Sequence, residues 1–192
     1  MELTCYFDFV CPFCYLGYHA LKQAAGRHGF TVRYLPWELS PGSGKRPATP
    51  EQAERFKTRL KPLADRLGIP MILPPLRSVS SLALQGVYLA REEGVEAAYL
   101  EAVFHACHAE GRDIGRAEVL LDIWSGLGQH PSQLAAALAD GRFQAPLEED
   151  RRRGAALAFP TIPACYAGDR VLLDAFDPDA LDRALRAWAA EM

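Results

Sequence analysis

The chain has 192 residues, 49% of them apolar and 23% charged, close to the soluble globular average, so a real core can form and wholesale disorder is excluded. Lys plus Arg number 21 against 24 Asp plus Glu, and a net charge of -3 sets up no field to attract a nucleic acid. The length suits one domain, or one domain carrying a large insertion, rather than a long array.

The opening residues Met1-Glu2-Leu3-Thr4, with Asp8 close behind, lack the basic and apolar regions of a secretory signal, and a cytoplasmic location is expected. The most apolar late segment, 155–167, is interrupted by Pro160 and Pro163, so no membrane span is expected. Five cysteines without an export signal do not read as a disulfide framework, and a close pair of them points to catalysis or metal binding.

Residues 2–9 alternate, with Leu3, Cys5, Phe7 and Phe9 on one side and Thr4, Tyr6 and Asp8 on the other, which predicts a strand. From Pro12 the spacing becomes helical (Phe13, Leu16, Ala20, Ala24) and ends near Arg27-His28-Gly29. Residues 30–39 are β-rich, with Val32, Tyr34 and Trp37 as core candidates, so 1–39 read as one βαβ unit. Residues 40–47 form a breaker cluster and a linker. Thr49-Pro50-Glu51-Gln52 then starts a helix with a capping box, and Pro62 should kink it. Further helices are predicted over 81–93, 95–110, 117–127 and 131–139, making 48 to about 150 an all-helical block. Strand character returns over 160–166. The Gly168-Asp169 pair before 170–174 signals a hairpin, and Asp177-Pro178 caps a terminal helix carrying Leu181, Leu185 and Trp188.

The chemistry concentrates at Cys11-Pro12-Phe13-Cys14, where a strand becomes a helix. Unpaired N–H groups and the positive end of the helix dipole meet the first residue and favour a thiolate, so Cys11 is the expected nucleophile. Residues three apart on a helix share a face at about 5–6 Å, so Cys14 can displace whatever Cys11 captures. Pro12 suits the first helical position, and Phe13 adds an apolar patch beside the nucleophile. Such a pair exchanges with thiols and disulfides without metal or organic cofactor. The same spacing also makes half a zinc site, although no second Cys-x-x-Cys is present.

On these residues the chain resembles the thioredoxin-fold superfamily, and specifically its DsbA-like group with a helical insertion, the FrnE type. The active-site likeness runs over residues 7–17, and Glu110-Gly111-Arg112-Asp113-Ile114 is similar to a recurring turn in the insertion. The resemblance implies an α/β fold: a four-stranded mixed sheet in the order β-α-β then β-β-α. Residues 1–47 and 151–192 would be the thioredoxin-like domain, with 48–150 the inserted helical subdomain. It also implies a cis proline at Pro160, whose neighbours Phe159 and Thr161 would face Cys11 and, with Pro12 and Phe13, bind substrate. Departures are visible. Cys5 stands where such enzymes often bury an acid, with Asp8 expected on the opposite face, and Ala155 and Ala158 stand where glycines are common. Pro163, in a central strand, predicts a bulge or a shortened ladder.

Other residues have plainer readings. His105 and His108 should share a helix face from which Cys107 turns away, an incomplete metal site better read as surface or interdomain packing. Cys5 and Cys165 read as small buried apolar residues, and His19 and His28 as solvated. Residues 148–153 read as a solvated, charge-balanced helix face, and Tyr15 and Trp37 as either active-site flanks or core. The expected function is a protein thiol:disulfide oxidoreductase with Cys11 attacking and Cys14 resolving. It would act on thiol- or disulfide-bearing proteins or small molecules, with glutathione as a candidate co-substrate and neither nucleic acid nor membrane as partner. The alternatives are a glutathione-dependent transferase or isomerase of the kappa-class type, whose members typically carry Ser at the position of Cys11, and a metal-binding non-enzyme.

Overall fold

The computed structural model describes residues 2–168, 170–173 and 176–191. The chain runs β1 (Glu2–Phe7), α1 (Pro12–Arg27), β2 (Thr31–Pro36), α2 (Pro50–Arg55), α3 (Lys61–Arg66), α4 (Ser81–Glu92) and α5 (Glu96–His108). It continues α6 (Ala117–Gly126), α7 (Pro131–Ala139), α8 (Gln144–Ala156), β3 (Ala164–Ala167), β4 (Arg170–Leu173) and α9 (Pro178–Ala190). One four-stranded mixed sheet in the order β2-β1-β3-β4 carries the architecture, the α/β fold expected. In the hairpin, Gly168 turns at φ 63, while Asp169 and the predicted strand end at Asp174 lie outside the described residues.

β1 is central because both its edges are paired. It runs parallel to β2 over six residue pairs, from Glu2↔Thr31 to Phe7↔Pro36, and antiparallel to β3 over three, Thr4↔Tyr166, Cys5↔Cys165 and Tyr6↔Ala164. The second ladder is short because β3 begins immediately after Pro163, which has no N–H to give; the shortened ladder was expected.

Alternation along β1 separates two cores. Phe7 meets Tyr34 and Phe104 at ring centroids 5.8 and 5.7 Å apart, and Tyr18 of α1 packs 5.5 Å from Tyr34, so this face lies beneath α1 and α5. Tyr6 points the other way, 5.1 Å from Phe159, which in turn lies 5.2 Å from Trp37. α8 closes that second face at Gly154, where a Cβ would come within 2.7 Å of the Trp37 ring, so only glycine permits the approach. α8 runs straight through residue 150, and the helical layer therefore continues beyond the expected boundary at 150/151.

Local signals account for the helix ends. Thr49 Oγ1 accepts from Gln52 N at 3.2 Å while Gln52 Oε1 accepts from Thr49 N at 3.0 Å, the reciprocal capping box. Ahead of Pro62, residues Phe56–Leu60 widen to a π-helical turn, which admits the ring without ending the helix. Asp177 Oδ1 accepts from Asp179 N and Ala180 N and caps α9. The end of α1 is fixed to α9 through Asp182, which takes Arg27 Nη2 at 2.9 Å and His28 Nε2 at 3.0 Å. His28 is therefore not solvated as the sequence suggested, since this pairing shelters it. Ala158, at a position where glycine was noted as common, adopts φ 52, the left-handed region that favours glycine.

Candidate active site

β1 stops at Phe7 because Asp8 turns inward and becomes the pivot of the next four residues. Its carboxylate accepts from Val10 N at 3.2 Å and Leu39 N at 2.8 Å, and its carbonyl accepts from Cys11 N at 3.1 Å. That turn delivers Cys11 to the N-cap of α1 with φ -90 and ψ 112 and puts Pro12 in the first turn. The Cys11 side chain makes no cap bond to α1, so its sulfur is left to the cleft, where the residue remains 6% exposed. One turn on, Cys14 is 2% exposed, with Cys11 as its neighbour. Burial pushes the Cys14 thiol well above its usual range, the nearby Cys11 adds to this, and the Asp8 backbone pulls it partly back.

The cis peptide is Ile162–Pro163, not the bond before Pro160, which corrects the sequence expectation by three residues. Both prolines precede the same strand, but only Pro163 abuts the first ladder residue, Ala164, where a missing N–H costs nothing. The loop meets Cys11 through backbone: Cys11 Sγ donates to Ile162 O at 3.7 Å, and Thr161 Oγ1 reaches the same carbonyl at 3.4 Å. Pro160 and Thr161 are exposed, whereas Phe159 turns to the far face against Tyr6 and Trp37. Of the expected substrate contacts, Pro12 and Phe13 line the cleft with Cys11, Thr161 stands beside it, and Phe159 packs the opposite core.

The cleft has a volume of ≈ 210 Å³ and is mostly apolar, lined by Phe13, Phe56, Leu60, Leu39, Ile72 and Leu73. Leu39, Ile72, Leu73 and the neighbouring Leu76 are exposed, an apolar rim around a nearly buried sulfur. Arg55 and Arg77 bring positive charge to it. Arg77 is held by backbone pairing of its N–H to Arg46 O at 2.8 Å and by Nη2 on Ser40 Oγ at 3.1 Å, and its charge is felt by both Asp8 and Cys11. The 110–115 turn clamps this segment from behind: Ile72 N bonds His108 O at 2.8 Å, and a Cβ on Gly115 would lie 2.9 Å from Val79 O.

Three residues of this site escaped the sequence reading. Strand alternation puts Asp8 on the face opposite Cys5, but β1 has ended at Phe7; Asp8 is fully buried, and desolvation raises its pKa against the pull of Leu39, Ser80 and Val10. Arg77 lies in an irregular stretch with no periodicity to mark it. His108 is buried, stacked 5.1 Å from the Tyr15 ring and bonded through Nε2 to Phe9 O at 2.7 Å, and burial pushes its pKa down to about 4. His105 instead pairs with Glu110 at 3.2 Å on the outer side of α5, so the two histidines do not share surroundings as expected. Among the described residues no group of three metal-ligating side chains converges. Tyr15 is core, its hydroxyl donating to Pro70 O at 3.1 Å, and His19 is half-buried against Tyr15 and Tyr18 rather than solvated.

A model of the DSBA-like thioredoxin domain matches residues 2–186. The chain belongs to the DSBA-like thioredoxin domain family. Its fold is shared with a probable DsbA oxidoreductase from Streptomyces coelicolor, at TM-score 0.86 and 24% identity over 98% of this chain and 90% of that one. It is shared as well with the cytosolic disulfide reductase DsbM from Pseudomonas aeruginosa, in a structure with GSH, at TM-score 0.72 and 22% identity over 98% of each chain. In sequence it is 31% identical over 119 residues to 2-hydroxychromene-2-carboxylate isomerase from Pseudomonas putida, covering 58% of each chain. These relatives carry the names of enzymes, oxidoreductases and an isomerase, in keeping with the expectation of an enzyme. No helix among the described residues is long and apolar enough to cross a membrane.

Proposed function

We propose that this DSBA-like protein exchanges disulfides with thiol-bearing substrates through Cys11 and Cys14. The observation that carries the reading is the meeting of three things at one sulfur: the N-cap of α1, the neighbouring Cys14 thiol one turn on, and the Ile162 carbonyl before the cis proline, 3.7 Å away. In the reducing direction, Cys11 thiolate attacks one sulfur of a substrate disulfide; that bond breaks, a substrate thiolate leaves, and a mixed disulfide forms. Cys14 then attacks Cys11 Sγ, the mixed disulfide breaks, and the second substrate sulfur departs and takes up the proton that Cys14 gives, leaving the Cys11–Cys14 disulfide. The substrate gains two electrons and the dithiol loses two. The exposed rim of Leu39, Ile72, Leu73 and Leu76 suits an apolar peptide segment beside the disulfide, and the backbone at Ile162 offers a short extended edge for it. Incubated with a disulfide-bearing peptide, Cys14→Ser is expected to hold it as a stable adduct at Cys11, and a variant that accumulates none under oxidising conditions would overturn the reading.

A second reading, a glutathione-dependent isomerase or transferase, is favoured by the Pseudomonas putida relative and by a cleft that pairs a thiol with Arg55 and Arg77. Glutathione carries two carboxylates and a thiol, and those two guanidiniums and Cys11 are the groups that would hold it. Glutathione-conjugating activity that survives in Cys11→Ser supports this second reading over the first.

A further inference from the structure

Two thiols that the exchange at the cleft does not use face each other in the sheet. Cys5 of β1 and Cys165 of β3 are direct partners in the antiparallel ladder, and Cys165 Sγ lies 2.9 Å from Cys5 Sγ. Opposed residues of such a ladder have Cα atoms about 4.5–5.5 Å apart, inside the roughly 4.4–6.8 Å that a disulfide spans, so the backbone already stands where the bond needs it. The pairs Thr4↔Tyr166 and Tyr6↔Ala164 on either side fix the register. Both thiols are shut off from solvent, Cys5 at 1% exposure and Cys165 at 0%. No external disulfide can reach them. The route left to them runs through the protein: Cys5 shares with Phe7 the face of β1 that lies beneath α1, the helix whose first turn carries Cys14.

We propose that Cys5 and Cys165 are a second dithiol, oxidised from within by the Cys11–Cys14 disulfide. The inference rests on the reading of Cys11 and Cys14 as an exchanging pair. Cys5 thiolate attacks Cys14 Sγ, the Cys11–Cys14 bond breaks, and Cys11 leaves as thiolate. Cys165 then attacks Cys5 Sγ, the Cys5–Cys14 bond breaks, and Cys14 leaves as thiolate. The inner pair loses two electrons and two protons, and Cys11 and Cys14 take them up, so the balance closes without a further oxidant. The outer pair is returned reduced, and the protein holds one oxidising equivalent that external thiols reach only by way of Cys14.

The test is disulfide mapping after equilibration with excess glutathione disulfide, acid quenching, unfolding, alkylation and digestion. In the wild type both the 11–14 and the 5–165 linkages are expected, leaving Cys107 as the alkylated cysteine. In Cys14→Ser the 5–165 linkage should form at least tenfold more slowly. A wild type in which 11–14 is linked while Cys5 and Cys165 are both alkylated overturns the relay and leaves the cleft chemistry standing. A 5–165 linkage that forms equally fast in Cys14→Ser overturns the internal route. Alkylated Cys11 and Cys14 in the wild type would sink the exchanging pair itself and the relay with it.

Discussion

The two cysteine pairs make the instructive comparison. Cys11 and Cys14 are three residues apart on the first turn of a helix, while Cys5 and Cys165 are 160 residues apart and meet across a ladder, yet in both the two thiols are neighbours. What separates them is access. Cys11 opens into an apolar cleft with arginines at its edge, and the sheet pair lies under α1 with nothing but core around it. Nearness makes exchange possible within a pair, and under the proposed function the exposure of one sulfur is what lets a pair meet substrate.

The largest effect should come from removing that exposed sulfur. Cys11→Ser is expected to lower the rate of disulfide reduction by at least about a thousandfold, because the attacking atom itself is lost. Cys14→Ser should keep the first half-reaction and lose turnover; equal loss of adduct formation in both variants would erase the assignment of roles.

Next in size is the acid sensitivity of the core behind the cleft. His108, with its pKa lowered to about 4, stays neutral when folded, whereas the unfolded chain binds its proton below roughly pH 6.5. The stability it supports is whole above that pH and is lost as pH falls toward 4, by up to about 3 kcal/mol. Urea unfolding of His108→Gln across this window should show that slope removed. Asp8 acts in the opposite sense, since its raised pKa favours the folded state at low pH and the contribution fades as pH rises through it.

On the far face of the sheet, Gly154→Ala should cost about 1–3 kcal/mol in urea unfolding without altering adduct formation at Cys11, because its Cβ would press on Trp37 and Tyr6, remote from the cleft. Smallest is Arg77→Gln, expected to raise KM for glutathione disulfide about three- to tenfold and to leave kcat on a neutral peptide disulfide nearly unchanged. An equal effect on both substrates would assign Arg77 to structure alone.

Most of the frame was legible because its signals are local. The switch from period two to helical spacing at Cys11, the Thr49 capping box and the Asp177 cap each place an element by residues within a few positions of one another. What escaped depends on contacts far apart in sequence. Asp8 is buried by Leu39 and Ser80, which no strand period reports. Arg77 joins Cys11 in lining the cleft from a loop packed against the 110–115 turn, and Cys5 meets Cys165 only once the sheet order is known. The cis bond was sought at Pro160 by resemblance; a second proline three residues on, and the ladder that begins right after it, locate it at Pro163.

The central claim is tested most directly by the stoichiometry of one turnover. Fully reduced protein mixed with an equal amount of a disulfide peptide, quenched early and mapped, should release two peptide thiols for every Cys11–Cys14 bond formed. Peptide thiols released with neither that bond nor a Cys5–Cys165 bond, or a bond formed first at any other pair of cysteines, would contradict the account.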